Sequence, residues 1–293
     1  GIPSDELICL TKSLKTNSLK GRKPMLSKLG KFGFLVLVSC CIGLVWITGC
    51  ASTAKQAPEP PAFVPDANVL RVGISPNAPP LIFKQGGKIV GLEADFAREF
   101  AKYLGKSLRF VELEWEDQIP SLLANRIDII MSGMTITRLR EVRVAFSNPY
   151  FRSGQMALIR REDAALFKTG FFTITKSAAI GSIKNTTGEY FVEKQFGRVK
   201  KISFNNSKEA VKALLDKKIN MFVHDAPIIL WLGSENETNG LTPLFSLLTE
   251  EKLAWAIRKD DTGLLASANN FLKTANEEGK LKPLIHHWIP FTD

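Results

Sequence analysis

The chain has 293 residues, 45% of them hydrophobic, which suffices for one large or two modest domains with a real core. Its formal charge of +10 is unevenly placed: residues 1–50 hold seven Lys or Arg against two acids, and the remainder 32 against 27. The folded part is therefore only mildly basic and mixed in sign, which argues against a nucleic-acid surface. All four cysteines (Cys9, Cys40, Cys41, Cys50) precede residue 51 and two of the three histidines are adjacent, so neither a thiolate metal site nor a zinc centre is expected, and no cofactor.

From the N-terminus, residues 1–24 precede Met25 and read as an upstream extension outside the native protein. Residues 25–50 then show Lys28 and Lys31, a 16-residue run without charge over 32–47, and Ile47-Thr48-Gly49-Cys50. A basic start, a short apolar stretch and small residues at its end describe an export signal rather than a spanning helix. The last four residues resemble a lipobox, which implies lipidation at Cys50 and anchoring to a membrane outside the cytoplasm. Residues 51–66 contain four prolines and few large apolar groups, and read as an extended tether.

Strand and helix signals alternate from residue 69 onward. "VLRVGIS" is a strand. "GLEADFAREFAKYLG" places Leu92, Phe96, Phe100 and Tyr103/Leu104 on one stripe of a helix that closes on Gly105. "LRFVEL" (strand), "DQIPSLLANR" (short helix) and the nearly all-apolar strand "IDIIMSG" follow, then a helix through "RLREVRVAF". The pattern returns as strand "AAIGSI", helix "TGEYFVEKQFG", strand "VKKISF", helix "SKEAVKALLDKK" and strand "INMFVHD". "LLANRIDIIMSG" from Leu122 and "LLDKKINMFVHD" from Leu214 align without a gap, with Asp128 opposite Asn220 and Gly133 opposite Asp225. Two similar α/β units are expected, each with a strand ending where a ligand of an open sheet would sit. Strands "QMALIRR" and "KLAWAIRK" flank the second unit as two side-by-side, roughly parallel crossings of a hinge. An amphipathic helix from Leu264 to Asn276 and "KLKPLIHHW" complete the first unit. The expected boundaries are 67–157 plus 253–293 for one lobe and 158–252 for the other.

Four stretches carry candidate chemistry. Gly133 permits close backbone approach, Thr135 offers a hydroxyl, Thr137 caps a helix, and Arg140 can take a carboxylate with two parallel hydrogen bonds; the ordinary reading is that Arg138, Arg140 and Arg143 form a solvated face. Asp225 ends a buried strand before a helix with Pro227 in its first turn, as a cap or as the partner of an ammonium group. Asn185, Thr186, Thr187 and Gly188 make a polar strand-to-helix turn that lacks the spacing of a phosphate loop. Trp115 is either core or the face against which a ligand packs, and "SPNAPPLIF" from Ser75 is a stiff, proline-rich loop.

"VGISPNAPPLIF", "GKIVGLEADFAREFAKYLG", "WEDQIPSLLANRIDIIMSGMTITRLREVRVAFSNPYFRSG", "IGSIKNTTGEY", "VHDAP" and "EEGKLKPLIHHW" resemble, in family order over residues 69–288, the extracytoplasmic solute-binding proteins of amino-acid ABC transporters, family 3. The resemblance implies an α/β, two-lobed periplasmic-binding-protein fold of type II that closes on an amino acid, acting as a monomer with an inner-membrane permease. It puts Arg140 on the ligand carboxylate beside Thr135 and the Thr187 backbone, Asp225 on the amino group near the Gly133 carbonyl, and Trp115 on the ligand side chain. This sequence has Ala78 where many members carry a second aromatic, Ser75 where binders of basic amino acids tend to have an acid, and Gly133 where a serine is common. A neutral or polar amino acid is therefore expected over a basic one. Two other readings stand beside this one. A dehydratase resembling cyclohexadienyl dehydratase would need a general acid, for which Glu93, Glu114, Glu189 and His224 are the candidates. A sensory ligand domain would need a further membrane or catalytic segment.

Overall fold

The computed structural model describes residues 66–167, 178–197 and 199–291. The cysteines, the expected export signal and all of the tether except Asp66 lie outside them. In chain order the elements are β1 (Val69–Ile74), β2 (Asn77–Ala78), β3 (Ile82–Gln85), β4 (Lys88–Val90), α1 (Leu92–Tyr103), β5 (Ser107–Glu112), α2 (Gln118–Leu123), β6 (Ile129–Ile130), α3 (Arg138–Glu141), β7 (Ala145–Phe146), β8 (Phe151–Ser153) and β9 (Gln155–Arg160). Then come β10 (Ala179–Ile183), α4 (Thr187–Gln195), β11 (Lys200–Phe204), α5 (Ser207–Leu215), β12 (Met221–Asp225), α6 (Ala226–Glu235), β13 (Leu241–Leu244), β14 (Glu251–Leu253), β15 (Ala256–Ile257), α7 (Thr262–Glu277) and α8 (Leu281–Trp288).

Two five-stranded sheets have the same plan, β5-β1-β6-β15-β7 and β11-β10-β12-β9-β13. In each, the first three strands are parallel and the fourth runs antiparallel to the third. The fourth strand is the one that has just crossed from the other lobe. The chain leaves the first sheet through β8 and returns through β14, which pair antiparallel with Glu251 opposite Ser153. An outgoing and a returning segment must run in opposite senses, which corrects the expectation of parallel crossings. The strand β9 belongs wholly to the second sheet, so the expected boundary at 157/158 falls inside a strand and the crossing lies earlier, at β8.

The internal echo has a physical basis in both units. After α2 the chain turns through Asn125 (φ 58°), and after α5 through Lys217 (φ 61°), each followed by a helix-closing bond: Arg126 N–H to Ser121 O at 2.9 Å and Lys218 N–H to Ala213 O at 2.8 Å. Asp128 and Asn220 then do the same work. Each side chain accepts the N–H of a residue in or beside the neighbouring strand (Arg71 at 2.8 Å, Ala179 at 2.9 Å), and each backbone N–H donates to that residue's carbonyl. Ile127 and Ile219 pack against Gly73 and Gly181, where a Cβ would come within 2.3 and 2.7 Å of them.

Two expectations are corrected in detail. The helix through "RLREVRVAF" is only the four residues of α3; Val144 is buried and Ala145–Phe146 joins the sheet edge beside β15, so sheet pairing ends the helix early. "KLAWAIRK" is two short strands separated by Ala254 and Trp255, because β14 pairs in the hinge and β15 in the first sheet. Trp255 is fully buried among Phe96, Phe100, Tyr150 and Phe271, with ring centroids 5.6–6.0 Å apart. This aromatic cluster locks the returning segment and α7 onto α1. Tyr103, placed on the α1 core stripe, is instead 48% exposed at its edge.

Candidate functional site

The carboxyl ends of the central strands of both sheets open onto one cavity of about 580 Å3, including solvent at its mouth. The first lobe lines it with Ser75, Ala78, Trp115, Gly133, Thr135 and Arg140, and the second with Thr187 and Asp225. These eight residues, scattered over 150 positions of the sequence, therefore meet at one place.

Of the three arginines after "MTIT", Arg138 and Arg143 are exposed and only Arg140 turns inward. The side chain of Thr137 caps the short helix by accepting the Arg140 N–H at 3.2 Å. The guanidinium donates to the Thr135 carbonyl at 2.8 Å and lies 5.3 Å from the centre of the Trp115 ring. A guanidinium held against a ring and facing the cavity can still offer N–H groups to a carboxylate. Burial lowers the Arg140 pKa from its ordinary value, and the Asp225 and Glu251 charges oppose that.

Asp225 approaches from the end of β12. Burial pushes its carboxyl up to about 7 and the Glu251 charge adds to this, while the Gln155 hydrogen bond and Arg140 pull it down. Gly133 has φ 68°, and a Cβ there would lie 2.7 Å from Leu81 Cδ1. Its N–H is held at 2.6 Å by Glu93, a fully buried acid that also accepts from Tyr150 OH (2.6 Å) and Trp255 Nε1 (3.0 Å). Ser75 spends its hydroxyl on the wall, donating to Leu113 O and accepting from Gln118, and Ala78 leaves that side without a ring.

Two residues outside the sequence reading organise the site. Glu251, on the hinge strand β14, accepts at one oxygen from Thr135 Oγ1 (2.8 Å) and Thr187 Oγ1 (3.0 Å), one from each lobe. Gln155, buried at the start of β9, donates to Asp225 (2.5 Å), Thr187 (3.1 Å) and Glu251 (3.1 Å). The only sequence signal is an amide opening a strand that is apolar from Met156 to Ile159; Glu251 sits in "TEEK", which looks like any solvated turn. The candidate hydroxyl of Thr135 is thus already donated, so its backbone N–H is what it can offer an anion.

Contacts across the cleft close it at either side. Trp115 Nε1 donates to Asn185 O at 2.9 Å, and Phe83 meets Trp231 of α6 with centroids 5.5 Å apart. Among the cavity-lining residues Arg140 and Asp225 carry the charges. The rest of the wall is neutral and includes Asn77, Asn205, Asn206, Leu81 and Ile228. His224, buried in β12, also lines the cavity; burial pushes its imidazole down to about 4, so it is neutral at pH 7. Glu93 stands behind the wall, and Glu114 and Glu189 do not line the cavity. Among the described residues no His/Cys/Asp/Glu group is arranged to hold a metal ion, and no helix is long and apolar enough to cross a membrane.

Comparison with known proteins agrees with this architecture. An ABC transporter arginine-binding protein of Escherichia coli K12 is 26% identical over 234 residues, covering 76% of this chain and 92% of that protein. The glutamine-binding protein GlnH of an ABC transporter in Bacillus subtilis 168 is 28% identical over 206 residues, covering 69% and 74%. Among solved structures, an ancestral amino acid-binding protein described as a precursor of cyclohexadienyl dehydratase superposes with a TM-score of 0.69 at 31% identity, covering 76% of this chain and 95% of that one. Residues 70–291 match the family model of the bacterial extracellular solute-binding proteins, family 3, and with the two-lobed fold and the cleft this chain belongs to that family.

Proposed function

We propose that the cleft binds an α-amino acid with an uncharged, polar side chain and that the protein delivers it, as a monomer, to an inner-membrane ABC permease. One observation carries this reading: a guanidinium from the first lobe and a carboxylate from the second face a single cavity whose remaining wall is neutral. A zwitterion needs both charges a few ångströms apart, and buried charges are tolerated only when paired. Because the two halves belong to different lobes, the ligand favours the closed arrangement that alone offers both. Arg140 takes the α-carboxylate with the Thr135 and Thr187 backbone beside it. Asp225 and the Gly133 carbonyl take the ammonium. Trp115, Ser75 and Ala78 border the side chain, and no acid stands there to meet a basic one. The anchoring reading, lipidation at Cys50 with the domain held outside the cytoplasm on a proline-rich tether, belongs to the same proposal.

The test is calorimetric titration with a panel of amino acids. Arg140→Ala removes one partner of a buried charge pair and weakens binding by at least about a hundredfold, with an unchanged circular dichroism spectrum. An Arg140→Ala protein with wild-type affinity refutes the assignment. Turnover of prephenate or arogenate would replace the binding reading with the dehydratase one.

A further inference from the structure

The two acids beside the cleft differ in how well they are satisfied. Glu251 receives four donors: the hydroxyls of Thr135 and Thr187 at one oxygen, and Thr249 Oγ1 (2.9 Å) with Gln155 Nε2 (3.1 Å) at the other. Both of its oxygens are therefore satisfied and its position is fixed. Asp225 receives one side-chain donor, Gln155 Nε2, at Oδ1. Its other oxygen lies 3.8 Å from His224 Nδ1, and that nitrogen already accepts the Asp225 N–H at 2.7 Å, so it has no hydrogen to give. Gln155 Nε2 carries two hydrogens but is within bonding distance of three acceptors, Asp225, Glu251 and Thr187. Asp225 Oδ1 has the shortest of these contacts, and the other two acceptors compete for the second hydrogen; it is Asp225 Oδ2 that meets no hydrogen-bond donor among the described residues, in a side chain that keeps 14% of its surface accessible.

We propose that Glu251 is a positioning residue of the cleft: locked by hydroxyls from both lobes, it sets Asp225 to exchange a proton for a ligand ammonium, so that binding an α-amino compound releases a proton to solvent. The exchange balances. The Asp225 carboxyl loses H⁺, becomes a carboxylate, and accepts the N–H of the incoming ammonium. The groups facing Asp225 allow it. Among the described residues Arg140 from α3 is the cation acting on Asp225, and it is shared with Glu251; His224 is neutral, Gln155 and Thr187 are uncharged, and Tyr150 stays protonated, its pKa raised by burial. The direction of the Asp225 shift agrees with this geometry. A further consequence is that the Thr135 and Thr187 hydroxyls, having donated to Glu251, meet a ligand as acceptors only.

This inference rests on the amino-acid reading of the cleft, and its test separates the two. The carboxyl carbons of the purified protein are titrated by 13C NMR with no amino acid added. Calorimetry with L-glutamine and L-arginine as probes is then run at pH 7 in two buffers of different ionisation heat. With Asp225 titrating near 7, about half a proton leaves on binding. Glu251→Gln moves the Asp225 titration toward the ordinary carboxylate range and reduces the proton count toward zero. Glu250→Gln, at the exposed neighbour, does neither. The wild-type titration decides even where the variant fails to fold: Asp225 ionising in the ordinary carboxylate range overturns the proposal, as does a titration unmoved by Glu251→Gln. A near-neutral Asp225 that responds to Glu251→Gln, with neither probe giving heat, supports the positioning role of Glu251, overturns the proton exchange with these amino acids and counts against the amino-acid reading.

Discussion

Glu93 illustrates how one buried side chain shapes a site that it does not line. It fixes the Gly133 peptide through a 2.6 Å bond, and Tyr150 and Trp255 complete its shell. Burial pushes its carboxyl up to about 7 from 4.5, against the pull of those three bonds. A raised folded-state pKa means that the folded protein keeps a proton the unfolded chain releases, so this contribution to stability is lost as pH rises from about 4.5 to about 7. Urea melts at pH 5 and pH 8 should therefore differ less for Glu93→Gln than for the wild type. Asp225 behaves alike toward stability, but its effect on binding has the opposite sense. In the proposed binding mode a ligand ammonium displaces a proton from Asp225 below about pH 7, so the expected affinity falls by about tenfold per pH unit. An affinity that is flat from pH 7 to pH 4 would remove Asp225 from the site.

At the scale of elements, the two α/β units share a strand order, a turn geometry and a capping device, yet the capping residues differ in charge. Asn220 makes a neutral hydrogen bond to the Ala179 N–H, whose loss in Asn220→Ala costs about 1 kcal/mol. Asp128 also pairs with Arg71, whose side chain is 3% exposed, at 2.5 Å. Asp128→Ala takes the carboxylate from a buried guanidinium and costs about 3–5 kcal/mol. Chemical denaturation of the two variants should show this asymmetry; equal losses would mean that the Arg71–Asp128 pair adds nothing beyond the shared cap. The same comparison explains how the ends of the matched strands diverge. Gly133 offers backbone where Asp225 offers a carboxylate, so one repeat supplies opposite halves of the cleft.

For the whole molecule, the contacts between the lobes among the described residues include Trp115 to Asn185, Phe83 to Trp231, and the Glu251 hydroxyl pair at the hinge. An aromatic pair of this kind is worth about 0.5–1.5 kcal/mol. Phe83→Ala should weaken ligand binding by up to about tenfold and enlarge the radius of gyration of the free protein in small-angle scattering. An unchanged radius with unchanged affinity would show that this contact does not influence the lobe equilibrium.

Local rules reach far along this chain because its repeats obey them. Alternating apolar runs, a glycine-closed helix and the gapless echo at Leu122 and Leu214 foretell two open α/β sheets, and strand ends that carry Gly133, Thr135, Arg140 and Asp225 foretell where a ligand would meet them. Those signals are local: periodicity, caps and turns act over a few residues. What only the tertiary structure decided is which of three neighbouring arginines turns inward, that "RLREVRVAF" yields to sheet pairing after one turn, and that Gln155 and Glu251 join both lobes. The last two depend on partners some 65 to 120 positions away, Arg140 turns toward Thr135 and Trp115 across a strand end that periodicity does not describe, and a side chain in a hinge has no local pattern to reveal what it will touch.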